Sequence, residues 1–159
     1  MRFEQTASCF VVSVEDDELQ VCLVWHPRLE GWMPCGGHVE DDEDDATACL
    51  REVLEESGLR VVLIPGPQLP APNGFPHQSV CAPWWTSRGP ASPDSHTHVS
   101  HFHVDSVFVA YAASRTPTQP PEHEVRWFSV ADLVPHTGIS EDSRLQADLR
   151  QIRQRLHAH

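Results

Sequence analysis

Apolar positions along the chain fall into two periods, and the switches between them mark out the elements. Residues 7–13, ASCFVVS, and 19–25, LQVCLVW, are apolar and rich in β-branched residues. They flank an acidic turn at Glu15 to Glu18, and the pattern predicts a hairpin. Residues 26–40, HPRLEGWMPCGGHVE, are dense in Gly and Pro and predict a loop with at most one short strand. From about Asp44 to Ser57 the period becomes helical, with Ala46, Leu50, Val53 and Leu54 along one stripe. Acidic residues precede this stretch and Gly58 stands where a C-terminal cap belongs.

LRVVLI at 59–64 predicts a strand, and Pro65 to about Ser100 a long loop that holds 8 of the 14 prolines. HFHVDSVFVAYA at 101–112 predicts a strand, TPTQPP a breaker and EVRWFSV another strand. In the tail from Ile139 to Leu156, Leu145, Leu149, Ile152 and Leu156 recur at spacings of 4, 3 and 4, which predicts an amphipathic closing helix. There is no internal repeat. Strands, a long helix, more strands and a final helix indicate a mixed α/β or α+β domain.

Composition narrows the class. A chain of 159 residues with 40% hydrophobic side chains predicts a single compact domain over 1–159. It carries 11 basic and 23 acidic side chains, a net charge of −12, and every basic residue is arginine. No basic run or stripe exists, which argues against nonspecific binding to nucleic acid or to an anionic membrane. No apolar stretch approaches the roughly 20 residues of a membrane span, and MRFEQTASCF lacks the apolar core of a signal peptide, so a cytoplasmic location is expected. Five cysteines without a CxxC pair predict reduced, mostly buried thiols.

The chemistry concentrates in the central helix. Glu52, Glu55 and Glu56 stand at i, i+3 and i+4, so their carboxylates share a face, and Glu40 to Asp45 is an unbroken run of six acidic residues. An exposed like-charge pair at that spacing costs only about 0.2–0.5 kcal/mol, so a solvated acidic face remains open on charge alone. The functional alternative is a site for a hard divalent cation such as Mg²⁺ that bridges carboxylates to substrate phosphates.

The wider spacing decides between them: Gly37, five residues, Glu43, seven residues, then REVLEESGL from Arg51 to Leu59. This resembles the signature of the Nudix hydrolases at every specified position, a coincidence with chance odds on the order of one in ten million. EVRWFSVADL at 124–133 is also similar to the family's later strand and short helix. The resemblance implies an α/β fold, an α/β/α sandwich around a mixed β-sheet, and hydrolysis of nucleoside diphosphates linked to another group with Mg²⁺ or Mn²⁺ as cofactor. It further implies Glu52, Glu55 and Glu56 as metal ligands, the Gly37 carbonyl as a further ligand, and Glu43 with Arg51 as a buttressing ion pair. The expected base is Glu52 or Glu56, with Glu122 or Glu124 as later-loop alternatives.

An expected partner is thus a small nucleotide-type substrate: a nucleoside triphosphate, an oxidised nucleotide or a nucleotide sugar. Markers of the NADH, coenzyme A, ADP-ribose and dinucleoside polyphosphate branches are not reproduced. The rival class is a catalytically silent Nudix-like domain that senses a nucleotide, and a third reading is a histidine-rich metal-binding protein. A homodimer is open, since the closing helix can pack internally or across an interface.

Weaker signals surround the motif. Cys35 stands where the family often has proline, with Pro34 before it, and a catalytic role for this cysteine is disfavoured by the lack of a neighbouring base. HTHVSHFHVD holds His96, His98, His101 and His103 with Asp105. On a strand, His101, His103 and Asp105 share one face, as a pocket lining, a transition-metal site or a solvated surface. Trp32, Trp84, Trp85 and Trp127 are candidates for base stacking against a default of core packing, and Arg28, Arg88 and Arg126 for phosphate contact. Arg28, Trp32, His103, Asp105 and Glu124 form the expected substrate-binding set.

Overall fold

A computed structural model of the chain describes residues 1–130, Leu133 and Gln154. The hairpin forms from β1 (Phe3–Glu15) and β2 (Glu18–His26), paired antiparallel from Val11 opposite Cys22 to Glu15 opposite Glu18. Its turn runs through Asp16 and Asp17 at φ 50° and 61°, a backbone region that aspartate tolerates. The Gly- and Pro-rich stretch holds two short strands rather than one at most: β3 (Gly31–Met33) and β4 (Cys35–His38). Pro34 interrupts the run, and the two halves find different partners, β3 on β2 and β4 on β1.

Helix α1 (Asp45–Ser57) begins where the Asp44 carboxylate accepts from the Thr47 N–H at 2.8 Å. It ends at Gly58, φ 71°, whose N–H returns to the Leu54 carbonyl. The buried stripe is Ala46, Cys49 and Val53 with Ala48, whereas Leu50, expected within it, is 39% exposed. Small side chains bring the helix close to the sheet, which leaves the larger Leu50 at the margin of the contact.

The strand expected over 59–64 is shorter, β5 (Val62–Ile64), although Leu59 is buried in the core. The long proline-rich segment is not all loop. Within it β6 (Trp85–Ala91) lies antiparallel along β7 (His101–Tyr111), from Trp85 opposite Val107 to Ala91 opposite His101. Pro90 is compatible because β6 has β7 on one side and no other strand among the described residues. β8 (Val125–Ser129) pairs with β2.

The result is one mixed sheet of eight strands among the described residues, with β1 and β7 parallel from Phe3–Phe102 to Val12–Tyr111 and the other pairs antiparallel. One edge of β1 is shared: Thr6 to Cys9 pair with β4 and Val11 to Glu15 with β2. β2 is shared likewise, its first half on β1 and Val24 to His26 on β3. β1 and β2 therefore fork beyond Val11 and Cys22, with β3 and β4 filling the gap.

Both faces of the sheet are covered. Ala7, Cys9, Val11, Phe108 and Ala110 pack with the buried side of α1, and Phe10, Val12, Val107 and Val109 pack on the other face with Trp32, Trp84 and Phe128. A mixed sheet with a helix on one face is the expected α/β arrangement. The closing helix expected over 139–156 lies outside the described residues, as do Ala131 and Asp132 of the short helix expected after β8. No helix among the described residues is long and apolar enough to cross a membrane.

Candidate active site

The fork in the sheet opens into a cavity of about 450 Å³. Its walls come from both prongs, with Thr6 and Ser8 on β1 and Val24 and His26 on β2, and from Gly36 and Gly37 on β4. Along the face of β1 that carries Phe10 and Val12 in the core, the polar Thr6 and Ser8 continue the same alternation into the cavity.

The motif helix lies on the opposite face, and its Glu56 reaches the cavity while Glu52 packs against Gly37, both beside two glycines. A Cβ at Gly36 would overlap the Ala7 carbonyl oxygen, and one at Gly37 would overlap the Glu52 carboxylate. The glycines are needed for that close approach, not for an unusual backbone angle. Glu56 Oε2 accepts the Gly36 N–H at 3.0 Å and Glu56 lines the cavity, while Oε1 lies 3.5 Å from His123 Nε2. Glu52 lies against Gly37.

Arg51 ties the acidic groups together. Its Nε donates to both oxygens of Glu43 at 3.2 and 3.1 Å, and Nη2 to Glu43 Oε1 and to the His38 carbonyl at 3.0 Å. Nη1 reaches Glu52 at 2.8 Å and Glu55 at 3.2 Å. The guanidinium so fixes the Gly37–His38 backbone against the helix while sharing its charge among three carboxylates.

Glu56 has no such guanidinium. Burial pushes its pKa up to about 7, against the lowering effect of the Gly36 N–H, and the negative charges of Glu52 and Glu122 add to the rise. Burial likewise raises Glu52. Glu43 is held low by its hydrogen bonds from Arg51. A buried carboxyl that resists ionisation, ringed by further carboxylates, is an oxygen donor set short of positive charge, which suits a hard divalent cation.

The other expected residues divide. Arg28, His103 and Asp105 line the cavity. Asp105 is anchored by the hydroxyls of Thr6 at 2.9 Å and Ser8 at 2.9 and 3.1 Å. His101 is 3% exposed and so is not part of a solvated face, and His103 lines the cavity. Trp32 is buried between Trp25 and Phe128 at ring distances of 5.5 and 5.4 Å, so this candidate belongs to the core, not to a base. Trp84 is also core, its indole N–H donating to the Ile64 carbonyl at 2.7 Å. Trp85 packs on the same cluster, and Trp127 on the opposite one under the guanidinium of Arg115.

Glu124 is exposed and outside the cavity lining, and its carbonyl accepts the Trp25 N–H. Glu122, whose N–H donates to the Glu55 carbonyl, is the later-loop glutamate near the motif. Arg88 and Arg126 lie over Phe102 and Phe128 and do not line the cavity. Cys35 is buried and its thiol pKa is driven well up by that burial, the opposite of an activated nucleophile. Sequence reading passed over His123, His26 and Asp94. The first is a single residue in a turn-rich stretch, and neither it nor the others stands in a motif.

A profile of the NUDIX domain matches residues 4–149 of the chain. No curated protein matches it. Among solved structures, a hydrolase of the NUDIX family from Clostridium perfringens is similar at 25% identity and TM-score 0.67, over 96% of this chain and 99% of that one. A C. elegans Ap4A hydrolase in a binary complex is similar at 16% identity and TM-score 0.66, over 98% and 99% of the two chains. The NUDIX domain of Shewanella oneidensis NrtR, complexed with ADP ribose, is similar at 20% identity and TM-score 0.57, over 98% and 90%.

Proposed function

The chain belongs to the Nudix family and is a Nudix hydrolase, and from that premise we propose that it uses divalent metal to cleave the pyrophosphate linkage of a nucleoside diphosphate derivative. The observation that carries this reading is Glu56: a cavity-lining carboxyl, buried, seated on the Gly36 N–H and surrounded by further acidic groups. A binding domain without chemistry has no need to hold a carboxylate at that cost.

Glu52, Glu55, Glu56 and the Gly37 carbonyl would hold Mg²⁺ or Mn²⁺, which when bound lowers the pKa of a water and screens the charge of the phosphates. Arg51, with Glu43 behind it, positions that set by bracing the Gly37–His38 backbone against α1. Glu56 is the first candidate for the base, since its carboxyl lines the cavity with one oxygen seated on the Gly36 N–H, and His123 at 3.5 Å from the other oxygen stands next in line. Glu52 and Glu122 are the alternatives. Arg28 on the cavity wall supplies a positive charge toward a phosphate, and Asp105 and His103, which line the same cavity, are the candidates to contact the rest of the nucleotide.

The substrate class is a nucleoside triphosphate, an oxidised nucleotide or a nucleotide sugar. The names of the C. elegans and Shewanella structures add dinucleoside polyphosphates and ADP-ribose to a test panel. Phosphate or pyrophosphate release is measured across it with Mg²⁺, Mn²⁺ or chelator, beside Glu56→Gln. Metal-dependent turnover that the variant loses supports the proposal. Nucleotide-induced thermal stabilisation without turnover of any substrate would replace it with the sensor reading.

A further inference from the structure

At the cavity wall that faces away from α1, four side chains from three separate segments meet: His38 at the end of β4, Asp94 in the connection after β6 and His103 on β7, which line the wall, and His101 on β7, buried behind them. The Nε2 atoms of His38, His101 and His103 lie 3.5, 3.6 and 3.8 Å from one oxygen, Asp94 Oδ2, and those of His101 and His103 are 3.0 Å apart. All four ligand atoms fall within 4.8 Å of one another. A tetrahedral ion with bonds of about 2.0–2.1 Å has ligand–ligand edges of about 3.3 Å, the scale of these separations.

We propose that His38, Asp94, His101 and His103 form a second metal site, for a Zn²⁺-class ion, separate from the carboxylates of the motif. The hydrogen bonding around the cluster favours this over a plain polar contact. His101 Nδ1 sits 2.9 Å from the Val99 carbonyl, an acceptor, so the ring hydrogen belongs on Nδ1 and Nε2 presents a lone pair. That lone pair points at His103 Nε2. The His38 Nε2 atom is buried without a hydrogen-bond partner, a costly state that a coordinated ion removes. Asp94 is prepared in the same way: Oδ1 accepts the N–H groups of His96 and Thr97 at 2.9 and 2.8 Å, leaving Oδ2 aimed at the three rings.

Three imidazoles and one carboxylate select a borderline ion over Mg²⁺, which prefers oxygen and keeps its waters. Four protein ligands close the tetrahedron, so the ion is structural: it pins the segment around Asp94 to β4 and β7 and sets one wall of the cavity. The proposal rests on this cluster alone and not on the hydrolase reading.

The test is made on the full chain. Metal-stripped protein titrated with Co²⁺ should show the intense visible absorption of a tetrahedral ion, saturating at about one equivalent and displaced by Zn²⁺. Glu56→Gln should retain that signal, and the double variant His101→Ala/His103→Ala should lose it. Because buried His101 is a risk to folding, Asp94→Asn and X-ray absorption of the zinc-loaded wild type stand beside it. The latter should give a mixed nitrogen and oxygen shell at about 2.0–2.1 Å. Weak octahedral absorption only, an all-oxygen shell, or a signal abolished by Glu56→Gln and kept in folded Asp94→Asn would each overturn the site. Loss of Mg²⁺-dependent hydrolysis in Glu56→Gln with the Co²⁺ signal intact separates a failure of one site from a failure of the other.

Discussion

Two donor clusters meet one cavity, the first through Glu56 and the second through His38, Asp94 and His103, and they are built in opposite ways. The carboxylates of Glu52, Glu55 and Glu56 come from two turns of one helix, with Arg51 between them and the sheet's glycine-rich strand. The imidazoles of His38, His101 and His103 and the carboxylate of Asp94 come from β4, β7 and the connection before it, as far apart as 65 residues in the chain (103 − 38). The first is local, acidic and short of positive charge, which suits a labile hard ion that takes part in turnover. The second is assembled only by folding and offers a full set of softer ligands, which suits an ion that stays.

The strongest way to break this contrast is Glu56→Gln. Hydrolysis should fall on the order of 10³-fold, several kcal/mol of lost transition-state stabilisation, with zinc content unchanged. Steady-state kinetics beside elemental analysis checks both halves; equal loss in both would make the clusters one site.

Asp94→Ala should act in the reverse sense. Retention of Zn²⁺ should weaken by roughly 100-fold or more, since even outer partners of metal ligands are worth about 10–100-fold. A competition titration against a chromogenic chelator reads this directly.

A smaller effect is expected at Glu43. Glu43→Gln loosens Arg51 and so the Gly37–His38 backbone, and should raise the Mg²⁺ concentration for half-maximal turnover by about 10–100-fold. Proportionate rescue by added Mg²⁺ distinguishes this positioning role from a loss of fold.

The smallest effect sharpens the electrostatic half of the comparison. Folding raises the Glu56 pKa from 4.5 to about 7, so between those values the folded chain holds a proton that the unfolded chain has released. The stability this contributes is fully present below pH 4.5 and is lost as pH rises through 7. In chelator-treated protein, Glu56→Gln should therefore melt above wild type at pH 8, on the order of 2 kcal/mol, and the difference should vanish toward pH 5. Thermal melts of the pair across that range check it, and Mg²⁺ should shrink the gap at pH 8.

The same contrast explains what could be read from the chain alone. The hairpin, α1, β7 and β8 were legible because each carries its own period, and the motif was legible because its specified positions fall within 23 residues, Gly37 to Leu59. β6 was hidden because an edge strand takes its hydrogen bonds from β7 and needs little apolar content, so WTSRGPA reads as loop. Leu50 and Trp32 were misplaced by packing: the helix approaches through Ala and Cys, and the indole fills the core beside Phe128. His101 and His103 announced themselves by alternation. Nothing in sequence joins them to His38 or Asp94, because that contact exists only once β4 and β7 flank β1.

Pro90 has a further consequence, for association between molecules. Among the described residues β6 is an outer strand of the sheet, the kind of border along which a second chain can add its own backbone. A proline there contributes no N–H, and Gly89 beside it gives an incoming strand no side chain to pack against. The strand that walls the cavity thus carries a feature that disfavours sheet-to-sheet growth along that border.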